Sequence, residues 1–318
     1  MKKPTPTPRG RVTMHAESVD QESALEQAAL AFVEMRPRLF GIAYRMLGSA
    51  AEAEDILQEV WLRWQQTDRA TIENPSAFLA LVTTRLAINV AQSARARREA
   101  YLGPWLPEPV DTSLDPTLGA ERGEALELAF LLLLERLTPT ERAAYVLREA
   151  FDYPYPQIAE ILQLTPVNVR QFVSRARRHL NAGRHETIDR TEHRRLLEVF
   201  LAAAQTGDVA ALESLFAADV VSTSDGGGIR GAARFPLLGA TRVAKFVAAL
   251  APRHWTGADL TWVEANGHAG LLVPRGRTGV TLLTVEASPK GIHHLMWIVN
   301  PAKLDAFERS RARLRRDI

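Results

Sequence analysis

The side chains best placed for chemistry lie between Tyr155 and Leu180, in YPQIAEILQLTPVNVRQFVSRARRHL. Arg170, Gln171, Ser174 and Arg175, with Asn168 just ahead of them, fall at helical spacing on the outer faces of a helix. Their guanidinium, amide and hydroxyl groups are the donors and acceptors that read base edges in a major groove. Arg177 and Arg178 add charge suited to phosphates. Val169, Phe172, Val173 and Ala176 make the inner, apolar face. Thr165 suits the N-cap and Pro166 the first turn, while Ile158, Ala159, Ile161 and Leu162 mark a preceding helix. Two helices around a tight corner, the second basic on its outside, predict a helix-turn-helix reader of nucleic acid.

Catalytic chemistry has no comparable signal. Asp219, His254, His268, Glu286, His293 and His294 are polar candidates in the C-terminal part, yet none has acid–base or metal-ligand spacing. The expectation is therefore no catalytic residue, no metal and no cofactor. The absence of cysteine excludes disulfides and thiol nucleophiles and fits a reducing compartment. Net charge is only +2, but arginines gather at Arg95, Arg97 and Arg98, along 170–195 and at the C-terminus, while 108–135 is acidic. Local basic faces for nucleic acid follow from that asymmetry. The apolar run Ala129–Leu134 is far too short for a membrane span. These features predict a soluble, cytoplasmic chain with no membrane partner.

The elements that position these residues are legible in the periodicity. Residues 1–23 are rich in Pro and Thr and read as a disordered tail. From 24 to 100 the pattern is helical: one stripe through Phe32, Leu39, Ile42 and Met46 ends at Gly48, a second covers Ala51–Gln65, and a third starts at Asn74-Pro75. Residues 101–120 read as a linker and 121–184 as a compact four-helix unit, with a helix over Glu121–Leu137. From 185 to 318, helices are followed by short β-branched runs, which predicts an α+β domain with a curved antiparallel sheet.

Phe40–Trp64 (FGIAYRMLGSAAEAEDILQEVWLRW) and the 155–180 hairpin resemble regions two and four of the extracytoplasmic-function sigma factors of the sigma-70 family. Tyr101–Pro109 (YLGPWLPEP), Asp225-Gly226-Gly227-Gly228 with Arg230, and Asn300–Leu304 (NPAKL) resemble motifs of the subgroup with a C-terminal SnoaL-like extension. The resemblance implies a multi-domain chain: two all-α domains, then an α+β cone. It implies that Asp55, Gln58, Glu59 and Arg63 face the β′ subunit of core RNA polymerase, with β as a further contact. Arg95, Arg97 and Arg98 would meet promoter DNA at the minus-ten element, and the hairpin would read the minus-thirty-five element. Trp105, Leu106, Pro107 and the DGGG loop would join the cone to the sigma domains and modulate them. The alternative is a helix-turn-helix regulator whose cone senses a small molecule or acts like a cyclase or isomerase.

Overall fold

A computed structural model describes residues 11–113, 127–229, 231–255, 257–275 and 279–314. The first helical unit, called region two after the resemblance, is built from α1 (Arg11–Leu47), α2 (Ala50–Gln66) and α3 (Pro75–Glu99). Helix α1 starts inside the stretch expected to be tail, because residues 11–23 contain no Gly or Pro to stop a helix propagating from the core. Residues 1–10 lie outside the described part. Gly48, at φ +61°, ends α1, and the Ser49 side chain caps α2 by accepting from Glu52 N–H. Asn74 caps α3 in the same way from Ala77, with Pro75 in the first turn. Leu39, Ile42 and Met46 of α1 meet Ile56, Leu57 and Trp64 of α2 and Leu79 of α3 in one core. By length and composition α3 could cross a membrane, yet its buried positions are core positions of this bundle.

The second helical unit, called region four after the resemblance, comprises α4 (Leu128–Leu134), α5 (Pro139–Glu149), α6 (Tyr155–Leu162) and α7 (Pro166–Asn181). The helix expected over Glu121–Leu137 is thus a short α4, and residues 114–126 are outside the described part. Thr138 and Glu141 form a reciprocal capping box on α5. The corner of the hairpin is Gln163, in the left-handed conformation at φ 55°, followed by the Thr165 cap.

The two helical units touch directly. Arg38 donates to the Phe151 carbonyl at 2.6 Å and sits 4.9 Å from the Tyr153 ring. Arg85 of α3 donates to the Ile161 carbonyl at 3.0 Å, satisfying an end group of α6.

The C-terminal unit holds α8 (Arg190–Thr206), α9 (Val209–Leu215), β1 (Phe216–Asp225), β2 (Leu237–Leu238), α10 (Ala240–Ala249), β3 (Thr261–Ala265), β4 (His268–Arg275), β5 (Gly279–Ser288), β6 (Gly291–Ile298) and α11 (Pro301–Leu314). The strand order is β2-β1-β6-β5-β4-β3. Strands β3 to β6 form the expected antiparallel meander, but β1 pairs with β6 in parallel, Val221 opposite His294 and Asp225 opposite Ile298. The wholly antiparallel expectation fails there because β1 is separated from β6 by the α10 crossover and the whole meander.

Alternation along the strands divides the sheet. Leu271, Leu283 and Trp297 face a core made with α8, α9 and α10, where Phe200, Trp255 and Trp297 pack ring to ring at 5.8–6.1 Å. Leu272, Leu282, Met296 and Ile298 face the other way and join Leu304 and Phe307 of α11 in the same continuous core as region two and region four. The C-terminal unit is therefore packed into both helical units through the back of its sheet.

Helix α8 is seated partly by His193, whose Nε2 lies 3.0 Å from the Val285 carbonyl. The His268 ring lies tilted against it, centroids 4.5 Å apart, and is itself 3.1 Å from Glu127. Burial, then the neighbouring His268, pushes His193 down to about 4. Its folded pKa lies below its unfolded value, so the unfolded chain binds more protons in between, and stability falls as pH drops from about 6.5 toward 4. Urea unfolding of the full chain should show a loss on the order of 3 kcal/mol from this group across that window. His193→Gln should flatten the profile by that amount.

Candidate nucleic-acid interface

Four buried side chains, Val169, Val173, Ala176 and Leu180, hold α7 in place. Asn168, Arg170, Gln171, Ser174, Arg175, Arg177 and Arg178 are all exposed. Val167, Arg170, Gln171, Ser174, Arg175 and Arg178 line one open surface groove. Val167, 57 % exposed, is an apolar member of this groove absent from the expected set; its place one residue after the proline was the available signal. Arg170 stacks over Tyr155 at 5.3 Å and Arg177 pairs with Glu149 at 2.7 Å, which orients both guanidinium groups. A thymine methyl suits Val167 and a guanine edge suits an arginine of this face.

On α2, Asp55, Gln58 and Arg63 are exposed and Glu59 half-buried, with Glu59 and Arg63 paired at 2.7 Å. Leu62 stands among them at 50 % exposure. An apolar residue within a polar row gives such a face contact area as well as charge.

The basic end of α3 departs from expectation. Arg97 is exposed and bonds Glu52 at 2.5 Å. Arg98 turns inward: it bonds Glu135 and the Leu47 carbonyl, and its guanidinium lies 3.8 Å from the centre of the Trp105 ring. In place of the free phosphate-binding end that was expected, Arg98 here pins two units together, because Glu135 and Trp105 offer it a charge and an aromatic face at once. The side chain of Arg95 and all of Arg230 lie outside the described residues.

The linker is the least expected part of the structure. Its first thirteen residues do not hang free but run through a buried hub around Asp225, which is fully buried. The Asp225 carboxylate accepts from the Tyr101 hydroxyl at 2.5 Å, Leu106 N–H at 2.9 Å, Gly227 N–H at 3.2 Å and Lys303 Nζ at 2.7 Å. Its backbone carbonyl accepts from Val299 and Asn300. Asn300 donates to the Tyr101 hydroxyl at 2.8 Å, and Lys303 also donates to the Leu106 carbonyl. Gly227, at φ +57°, comes so close that a Cβ there would lie 2.7 Å from Asn300 Nδ2. Burial lowers the Lys303 pKa, against which Asp225 works to keep it charged. Burial, then the hydrogen bond to Asp225, raises that of Tyr101.

Beyond the hub the linker stays docked. Trp105 packs over Gly48, while Leu106 and Pro107 are buried. The Glu108 carboxylate accepts from Ser49 Oγ at 3.0 Å and Ala51 N–H at 2.9 Å, at the start of α2. Tyr44 donates to the Glu108 carbonyl at 2.5 Å and accepts from Asn266 at 2.8 Å, so region two, linker and the β3–β4 turn meet at one hydroxyl. Val110 exchanges two hydrogen bonds with Asn266.

In the cone, Asp219, Glu286 and His293 come together with His185, whereas His254 and His268 lie apart from them. His294 bonds Thr223 and burial pushes it down to about 4. The ring cluster of Phe200, Trp255 and Trp297 fills one side of the sheet. A cavity of about 40 Å³ lies between α4, residues 184–188 and the sheet, large enough for water and too small for a metabolite.

Comparison with known proteins places this geometry. Residues 31–98 match the family described as Sigma-70 region 2, and residues 127–180 the family described as Sigma-70, region 4. The ECF RNA polymerase sigma factor SigJ of Mycobacterium tuberculosis is 37 % identical over 231 residues, 71 % of this chain and 74 % of that protein. The probable ECF RNA polymerase sigma factor SigI of the same species is 31 % identical over 278 residues, 85 % of this chain and 92 % of that one. The crystal structure of the Mycobacterium tuberculosis SigJ protein superposes with a TM-score of 0.71 at 32 % identity, covering 89 % of this chain and 98 % of that chain.

The hub makes a sharp prediction. Asp225→Asn leaves the Lys303 ammonium buried without its counter-charge and should cost about 3–5 kcal/mol in urea unfolding. Adding Lys303→Met should restore a large part of that loss, since the orphaned charge then disappears.

Proposed function

This chain belongs to the extracytoplasmic-function RNA polymerase sigma factors, and from that membership we propose that the cone holds its two DNA-reading units in a closed arrangement until core polymerase engages α2. As a sigma factor it directs core polymerase to promoters and initiates transcription there, and sigma factors are not enzymes. Minus-ten and minus-thirty-five elements lie about 25 base pairs apart, or roughly 85 Å of B-form DNA. Helices α3 and α6 in direct contact do not span that distance, so the two units separate when both elements are read.

The observation that carries this reading is the double use of the linker. The same residues that tether region two to region four, Tyr101 to Val110, are bonded into the cone at Asp225, Lys303 and Asn266. In the proposed cycle, Asp55, Gln58, Glu59, Leu62 and Arg63 contact the β′ subunit, with β as a further partner. Arg170, Gln171, Ser174, Arg175 and Val167 read the minus-thirty-five element, with Asn168, Arg177 and Arg178 on flanking phosphates. Arg97 meets DNA near the minus-ten element. The cone acts without catalysis, as the filled interior of its sheet supports, and the protein works in the cytoplasm, where polymerase is.

In vitro transcription with bacterial core enzyme tests the assignment of faces. Arg170→Ala with Arg175→Ala should cut promoter-dependent transcript at least tenfold, consistent with 1–3 kcal/mol for a lost base contact, while core binding persists. Asp55→Arg with Glu59→Arg should abolish core binding measured directly by fluorescence anisotropy. Loss of core binding in the first variant, or retention in the second, would mean the two faces are misassigned.

A further inference from the structure

Three arginines on the outward face of α7 are held in three different ways. Arg177 is ion-paired with Glu149 at 2.7 Å, which spends an N–H donor and offsets its charge. Arg175 lies 4.0 Å from Glu141 and 5.0 Å from the ring of Phe172, a neighbour on its own helix. Arg170 has no carboxylate partner among the described residues. Its guanidinium lies over the ring of Tyr155, 5.3 Å from the centre.

Tyr155 belongs to a different helix and is itself well fixed. It opens α6 between Pro154 and Pro156, whose rings hold the backbone on both sides. The tyrosine is half-buried and packs against the helical core. It also receives Arg148 of α5 at 4.9 Å, and Arg148 is tied to the Tyr153 carbonyl at 3.1 Å. The ring is thus a rigid platform beside the second turn of α7.

A guanine presents O6 and N7 as two acceptors, which an arginine reads with two unspent N–H donors of its fork. A cation–π contact orients a guanidinium through its face and leaves the donors on its edge available. An ion pair spends them. Arg170 also lies in the N-terminal turns of α7, the part of a recognition helix that reaches base edges. Arg175 stands roughly 7.5 Å further along the axis, with the Glu141 carboxylate competing for it.

We propose that Tyr155 is a positioning residue for Arg170, and that Arg170 is the arginine that reads a guanine of the minus-thirty-five element. This role rests on the promoter reading by α7 proposed above, and adds which side chain sets specificity and what holds it. Tyr155 acts through its ring, without a hydroxyl contact to DNA. Without the ring, Arg170 samples more rotamers, so discrimination falls at one base pair while phosphate contacts persist.

Full-length chain with bacterial core enzyme is used to select from random-sequence duplexes of promoter length, and the bound DNA is sequenced. Wild type should enrich an upstream motif with a guanine position that depends on Arg170. Arg170→Ala and Arg170→Lys should both flatten that preference about tenfold, since lysine keeps the charge and lacks the fork. Tyr155→Leu should flatten the same position about threefold, and Tyr155→Phe should match wild type. Tyr155→Leu added to Arg170→Ala should cause no further loss. Arg177→Ala should weaken binding evenly across sequences. The readout is preference within the bound pool, so it does not depend on total yield. Tyr155→Phe as deficient as Tyr155→Leu, an even loss of affinity in Tyr155→Leu with base preferences intact, or a motif unchanged in Arg170→Ala would each overturn the proposal while leaving promoter reading by α7 in place. Absence of any enriched upstream motif in wild type would overturn that reading itself, and the Arg170 role with it.

Discussion

The path of the linker between the helical units and the cone is organised by one buried charge pair, Asp225 with Lys303. Burying two ions costs free energy that mutual attraction alone does not reliably recover, so the pair contributes little as simple glue. Its value lies in what it organises. The carboxylate has four donors, and they come from three distant stretches: Tyr101 and Leu106 of the linker, Gly227 of the glycine loop and Lys303 of α11. A hydrophobic substitute would pack but would not fix which backbone N–H meets which oxygen. Any register shift of the linker would strand a buried charge, and that penalty makes its path specific.

The remainder of the linker follows from this anchor. Once Leu106 is set, Trp105 falls between Arg98 and Lys303, and Glu108 arrives at the open N-terminus of α2. Negative charge at a helix N-terminus is favoured by the exposed N–H groups there. Tyr44 and Asn266 then close the path on both sides. Region two, the linker and the cone form one interlocked surface, and region four is held to it by Arg38, Arg85 and Arg142. The outward faces of α2 and α7 are left clear. This is the arrangement that the proposed closed form requires, with the faces for polymerase and DNA both turned outward.

Much of this was legible in the residues and some was not. The hairpin, its Thr165 cap and the outward set on α7 follow from helical spacing, because a basic amphipathic helix announces both faces. The three motifs around YLGPWLPEP, DGGG and NPAKL pointed to an interdomain role, but no spacing rule says that Asp225, Tyr101 and Lys303 converge; that is a property of tertiary folding. Arg98 shows the limit most clearly. Its neighbours in sequence read as a phosphate-binding end, while its burial is decided by Glu135 and Trp105, far along the chain. The parallel β1–β6 pair was missed for a related reason, since alternation reports that a strand exists and not which neighbour it takes. The His185, Asp219 and His293 cluster is likewise assembled from three separate elements.

The central claim is that the hub keeps region two and region four together in the free protein. The chain contains no cysteine, so Gln58→Cys and Gln171→Cys, both at exposed positions, can carry a pair of spin labels without background. Pulsed dipolar spectroscopy on the free full-length chain should give one narrow distance distribution, which broadens and lengthens when Asp225→Asn is added. A wild-type distribution already broad, or one unchanged by Asp225→Asn, would contradict the account.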